Sequence, residues 1–297
     1  VRVLLYDTGV IHRKISEAIP RMCAAVGASL EITRDMARIN TEGYDLLITP
    51  CQHIDPGQLP QNTCLLMGPQ LYVLPSGPTV GPYCAEYEHR VAQTCLSQWV
   101  KELYLEHVPS LRYPLEPMPT GVDTVRFCPG RGARESVILY IKHRSPANIG
   151  AAREALASAG IAYREFAYGS YDENVYIAAL QTAKFMVVVD AHESQGYALQ
   201  EAMSCGVPLL VWDVRSMYEE YNENSQVYHN NGKQMHATSV PWWSQECGLR
   251  IHSAEDLPAA LTAMCATWQE FRSRDYVVSN LSDEACMRRW LAYFHLK

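Results

Sequence analysis

The stretch "KFMVVVDAHESQGYALQEAMSCGVPLLVWD", residues 184–213, decides the fold. It opens with an apolar run that ends at Asp190 and closes with a second one, "PLLVW", at 208–212. The segment between, 195–204, has the composition of a helix. Strand, helix and strand in this order form a crossover unit of a parallel sheet. Glu193 falls in the strand-to-helix loop, and Glu201 lies about two turns along the helix. The backbone N–H groups near Ser194, Gln195, Gly196 and Tyr197 then stand at a helix N-terminus, where donors lack intrahelical partners and the dipole favours an anion. Gly196 lets a ligand approach the backbone closely. A phosphate suits that geometry. A plainer reading stands beside it: Ser194 is an N-cap, and "EAMSCGVPLLV" is a core helix, a glycine stop and a buried strand. A Glu pair eight apart arises by chance in a chain with 32 acidic residues.

Working outward, the same alternation fills both halves. "VRVLLY" (1–6), "SLEIT" (29–33), "DLLIT" (45–49) and "CLLMG" (64–68) read as strands, 14–26 and 84–107 as helices, and the proline- and glycine-rich 69–82 as a loop. Residues 109–132, rich in Pro, Gly and Arg, mark a domain boundary. Beyond it, strands are expected at 136–142, 161–167, 184–190 and 208–212, with helices at 148–159, 172–182 and 195–204. Residues 213–250 read as irregular, and 254–272 and 280–296 as two terminal helices. The expected fold is α/β, with two parallel-sheet domains facing a cleft and ligands outside the carboxyl ends of the strands. The domains are expected at 1–118 with 278–297, and at 119–277.

Composition narrows the function classes. The chain has 297 residues, 48% apolar and 19% charged, with a net charge of −7. That describes a globular protein and argues against unspecific nucleic-acid binding. No apolar run reaches the ~20 residues of a membrane span. The start has no basic segment followed by a long apolar one, so no signal peptide and a cytoplasmic location are expected. The ten cysteines form no C-x-x-C and no zinc-like spacing with His, which points to reduced thiols.

Two motifs in sequence order resemble a known family. "ESQGYALQEAMSCGVPLLVWD" resembles the E-x7-E segment of GT-B glycosyltransferases, especially the GT4-like group of retaining enzymes. "PTGVDTVRFCP" (119–129) resembles the linker between their two domains. The resemblance covers roughly 115–225; the N-terminal half matches in plan only. It implies a metal-independent transferase using a nucleotide diphosphate sugar as donor substrate, with no separate cofactor. Glu193 would face the sugar, Ser194, Gln195, Gly196 and Tyr197 would lie at the phosphates or sugar, and Glu201 would bind the ribose. Arg144, in "IKHRSPANIG", matches the arginine that neutralises the leaving diphosphate. The lysine five residues on is replaced by Ile149, and His143 stands where the family has glycine. Lys142 and His143 are candidate substitutes for the lysine; Lys142 and Arg144 also read as solvated surface charges. Tyr168 and Gly169 lie at the base-binding loop, where Tyr168 or Tyr171 would stack on a base; an ordinary turn capped by Ser170 or Asp172 is the alternative. Thr8 and Gly9 match the first glycine-bearing loop and would be donor-binding residues, near the donor phosphates or the acceptor. His12 and His53 are weaker candidates for a histidine near the reacting carbon.

The absence of any D-x-D pair fits a mechanism without a divalent ion, in which an arginine and a helix terminus carry the leaving-group charge. The acceptor would be a hydroxyl of a glycan, lipid or small molecule, shaped by residues 1–115. Weak membrane association stays open. The last helix is expected to cross back to the N-terminal domain with Trp290, Leu291 and Phe294 packed there. Trp242 and Trp243 read either as core or as a sugar-stacking platform. Two other functions stay open: a nucleotide-sugar epimerase or hydrolase, and a non-catalytic nucleotide or carbohydrate binder. A dinucleotide-binding dehydrogenase is disfavoured, because the first loop has only Gly9 of G-x-G-x-x-G.

Overall fold

The computed structural model describes residues 1–50, 52–69, 84–107, 113–221 and 235–297. The chain forms two compact units: Val1–Asp123 with Asn280–Lys297, and Thr124–Ser279.

The first unit runs β1 (Arg2–Tyr6), α1 (Arg13–Ala25), β2 (Ser29–Thr33), β3 (Leu46–Thr49), β4 (Cys64–Met67), β5 (Val91–Cys95), α2 (Gln98–His107) and β6 (Leu115–Pro117). Its six strands are parallel, in the order β2-β1-β3-β4-β5-β6. Leu4, Leu47, Leu65 and Val91 stand opposite one another across four strands and are buried together. Central strands covered on both faces need such continuous apolar runs. In α1 the buried face is Ile15, Ala18, Ile19, Met22 and Cys23, the helical spacing legible in the sequence.

The helix expected over 84–107 is instead a 3-10 turn (Ala85–Arg90), strand β5 and helix α2. Tertiary contacts override local pattern there. The buried Arg90 guanidinium donates to the carbonyls of Pro56 (2.9 Å), Pro60 (3.2 Å) and Thr63 (2.7 Å), which pins the entry to β5 against β4. Most of the expected loop 69–82 lies outside the described residues.

The second unit runs β7 (Ser136–Lys142), α3 (Pro146–Ser158), β8 (Tyr163–Ala167), α4 (Glu173–Leu180), β9 (Ala183–Asp190), α5 (Tyr197–Ser204), β10 (Leu209–Trp212), β11 (Gly248–Ile251) and α6 (Leu257–Thr267). The five strands are parallel, in the order β11-β10-β9-β7-β8. Strand β11 falls in the segment expected to be irregular. Its first residue, Gly248, has φ 140°, and a Cβ there would lie 1.9 Å from the Leu209 carbonyl oxygen. A strand that must begin on glycine gives little sequence signal.

Three helices, not two, follow β11: α6, then α7 (Ser273–Leu281) and α8 (Asp283–Tyr293). The expected helix 254–272 ends before the extended Phe271, α7 fills the stretch left between the two expected helices, and Ser282 caps α8 by accepting from Ala285 N (3.2 Å). Helix α8 packs on α1 in the first unit, as expected. Trp290 is fully buried there and donates from Nε1 to the Pro119 carbonyl (3.2 Å), with Leu291 and Phe294 buried beside it. The motif "PTGVD" forms the seat for this return: Val122 N donates to Leu281 O (2.8 Å). Residues 119–123 therefore belong to the first unit, and the units divide at 123/124 and 279/280.

Each described cysteine is a free thiol. Among the described residues, no helix is long and apolar enough to cross a membrane.

Candidate functional site

The carboxyl ends of β7 and β9 bring the second unit's candidate residues together. Lys142 and Asp190 are register partners and the last residues of these strands. The chain then turns through Ala191, His192 and Glu193 into α5. The helix begins at Tyr197, later than expected, and its N-cap is Gly196 in the left-handed conformation (φ 82°, ψ 51°) rather than Ser194. Only glycine takes that conformation without strain. A Cβ placed on Gly196 would lie 3.5 Å from the Glu193 Cβ, so the Glu193 side chain rests against the start of α5. Gln195 is buried, and its side-chain amide donates to Gln200 Oε1 (3.0 Å), while Gln200 donates back to the Gln195 carbonyl (2.6 Å). Gln195 thus braces the turn from within.

Lys142 Nζ donates to Glu193 Oε1 at 2.6 Å, with the two side chains 13% and 12% exposed. The ammonium also lies 4.6 Å from the centre of the Tyr168 ring, a cation–π contact. Burial opposes the lysine's charge, but the nearby carboxyl groups, Glu193 first and then Asp190, together with the hydrogen bond to Glu193, outweigh it and hold the ammonium above its ordinary range. Asp190 is fully buried beside the pair. Burial pushes its carboxyl well above the usual range, with the neighbouring Glu193 adding to the rise and Lys142 pulling the other way. Burial thus favours the neutral form of Asp190 next to this ion pair. Burial, then the Lys142 charge, pushes His192 down to about 4. The Glu220 carboxylate lies 3.8 Å from its Nδ1.

His143 has φ 51°, a conformation glycine adopts freely, at the position where the resembled family has glycine. Its ring lies 5.6 Å from that of Tyr168. Burial, then Lys142, lowers its pKa.

Arg144, expected at the diphosphate, turns inward. Its side chain is 1% exposed, and its guanidinium donates to the carbonyls of Asp190 (3.2 Å) and Trp212 (3.5 Å). It also lies 5.1 Å from the Trp212 ring centre and 3.6 Å from Glu219 Oε2. In this arrangement Arg144 ties β7 to the ends of β9 and β10. Ile149 is partly buried and packs against the apolar core of the unit.

The remaining candidates divide. Tyr168 is 52% exposed at the turn after β8, and Gly169 follows at φ 74°. Tyr171 goes inward, 5.5 Å from Phe166 and 4.9 Å from Tyr176 between ring centres, and so is occupied as packing. Asp172 caps α4 through Asn174 N (2.9 Å) and Val175 N (3.0 Å). Glu201 is 4% exposed, within α5. Thr8 and Gly9 belong to the first unit, in the loop after β1, where Gly9 N donates to Asp7 Oδ1 (2.7 Å). His12 accepts from Lys14 N (3.3 Å) and caps α1. Burial lowers the pKa of His53. Trp242 and Trp243 are half-buried.

Sequence reading missed the brace behind the site. Asp213, buried after β10, accepts from Ser239 N (2.6 Å), Val214 N (2.9 Å) and Thr238 Oγ1 (2.8 Å). Ser239 Oγ in turn donates to Asp190 O (3.0 Å), and Glu193 N donates to Thr238 O (3.0 Å). Residues 238–239 thus fix the 190–193 turn from outside the motif. The available signal was Asp213 directly after an apolar strand, where a charge needs a partner.

No family model matches the chain, and no curated protein matches its sequence. Solved structures do match its fold. Sucrose-phosphate synthase from Thermosynechococcus elongatus superposes with a TM-score of 0.54 at 14% identity, over 99% of this chain and 98% of that one. The lipopolysaccharide outer core galactosyltransferase WaaB gives 0.53 at 10% identity, over 99% of both chains. TarM gives 0.50 at 13% identity, over 84% of this chain and 54% of that one. The fold is the two-sheet α/β arrangement of GT-B proteins.

Proposed function

We propose that this chain is a glycosyltransferase that moves a hexosyl group from a nucleotide diphosphate sugar to a hydroxyl acceptor. The observation that carries the reading is the Lys142–Glu193 pair set against the left-handed Gly196 at the start of α5, in a chain of GT-B fold. Glu193 accepts hydrogen bonds from sugar hydroxyls, as a carboxylate with two oxygens can. The amides that open α5, at Gly196 and Tyr197, hold the diphosphate. Glu201 binds the ribose, and Tyr168 borders the base. In the reaction the bond from the sugar C1 to the diphosphate oxygen breaks, and its electron pair leaves with the diphosphate. The acceptor oxygen bonds to C1 and gives its proton to the departing diphosphate oxygen. Lys142 and the helix terminus stabilise the departing charge without a divalent ion. Arg144 is assigned a positioning role, because its guanidinium is spent on the carbonyls of Asp190 and Trp212. The first unit takes the acceptor, a glycan, lipid or small molecule, and its Thr8 and Gly9 are assigned to the donor phosphates or the acceptor. Retention of configuration belongs to this reading through the resemblance alone.

The test is a thermal-shift titration with UDP, GDP, ADP, TDP and CMP, with and without EDTA. A ligand at a hundred times its dissociation constant stabilises by ~2.7 kcal/mol, which moves the midpoint by several degrees. One diphosphate is expected to stand out, with a shift that survives EDTA and disappears in Glu201→Ala. No shift with any nucleotide sinks the reading. The inward Arg144 and the packed Ile149 favour a second reading, a nucleotide-sugar binder without turnover. Binding with no sugar release over a panel of acceptors assigns the chain to it.

A further inference from the structure

We propose that Lys142 exchanges partners: it is held by Glu193 when the site is empty and moves to the donor diphosphate on binding, which frees Glu193 for the sugar. This rests on the donor-site reading above. Lys142 ends β7 in a chain whose expected lysine position, 149, holds a core isoleucine. The two cations at this end of the sheet are held very differently. Arg144 is fixed by two carbonyls, the Trp212 ring and Glu219. Lys142 is held by one carboxylate at 2.6 Å and the face of Tyr168. Its flexible stem and rotatable ammonium suit a change of partner, where a planar guanidinium in a fixed fork does not.

The destination lies close by. The Glu193 Cβ is 3.5 Å from where a Cβ on Gly196 would lie, so the side chain whose carboxylate holds Lys142 rests against the start of α5. A diphosphate arriving there carries more negative charge than the single Glu193 carboxylate and competes for Lys142 in a partly buried setting, where charge differences count most. Asp190 lies buried beside the pair, and burial pushes its carboxyl towards the neutral form. Glu193 is then both the sugar's partner and the diphosphate's competitor.

That double role gives a result a static contact does not. Glu193→Gln keeps the shape and removes the competing charge, so it should tighten binding of the sugar-free diphosphate about fivefold, while Lys142→Met should weaken it about tenfold or more. In the double variant the gain from Glu193→Gln should vanish, because no cation remains to be released. The measurement is calorimetric titration with whichever of UDP, GDP, ADP or TDP binds the unmodified chain best. Lys142→Gln replaces Lys142→Met if the latter does not fold. Unchanged or weaker binding in Glu193→Gln, or a gain that persists in the double variant, overturns the exchange and leaves the donor site standing. No diphosphate binding to the unmodified chain overturns both.

Discussion

At His192 and Asp190, two neighbouring groups titrate in opposite senses. The folded His192 has its pKa near 4, against 6.5 for an ordinary histidine. The fold keeps it neutral while the unfolded chain takes up a proton as pH falls through 6.5. Its contribution is full above that value and is lost towards pH 4, by up to about 3 kcal/mol. His192→Asn should therefore flatten the acid loss of stability between those limits, read from urea unfolding across that range. A parallel loss in variant and parent would refute the assignment. Asp190 runs the other way. Its raised pKa makes its contribution greatest at low pH and erodes it as pH rises past 3.8, so Asp190→Asn should gain on the parent with rising pH. Neither shift is legible in the sequence, because both come chiefly from burial. Glu193 and Gly196 were legible, since a strand-end loop opening a helix is a local pattern. Arg144 was legible as a position but not as a direction: what turns it inward is the Trp212 carbonyl, 68 residues away in sequence.

At the level of elements, the linker glycine has a role that motif spacing alone did not reveal. A Cβ on Gly121 would meet Asp283 at 2.2 Å from Oδ1 and 2.5 Å from Cα, at the first turn of α8. Asp283 is held there by Arg21 of α1 (3.0 Å), so neither partner can move aside cheaply. Gly121→Ala should cost at least about 2 kcal/mol through forced displacement of α8. Trp290→Ala should cost about 3–5 kcal/mol by emptying the same seat. Chemical unfolding of the two variants checks both, and a Gly121→Ala protein as stable as its parent would mean the contact relaxes. Elements with their own periodicity, such as α1, β1 and β9, were legible from residues alone. Strands β5 and β11 were not. The first is cut from a helix-like stretch by the anchoring of Arg90, and the second opens on a glycine chosen by the Leu209 backbone.

At the scale of the whole molecule, the two-unit plan was legible because each half repeats the strand–helix alternation, while most of the proposed donor-site residues fall in one half. Lys142, Glu193, Gly196 and Glu201 all lie in the second unit, as does the Asp213–Thr238–Ser239 brace that holds their turn. A nucleoside diphosphate bound there suppresses local opening of the segments it touches, in proportion to its saturation. Amide hydrogen exchange with the best-binding diphosphate should therefore slow at 190–201 and at 238–240, the second through the hydrogen bond from Glu193 N to Thr238 O. Exchange in β3 and β4 of the first unit should stay unchanged. Asp213→Asn weakens the brace without touching the ligand, so it should keep protection at 190–201 but lower it at 238–240. Equal slowing across both units would mean that the ligand acts on global stability rather than at this site. Slowing confined to the first unit would move the donor site off α5 altogether.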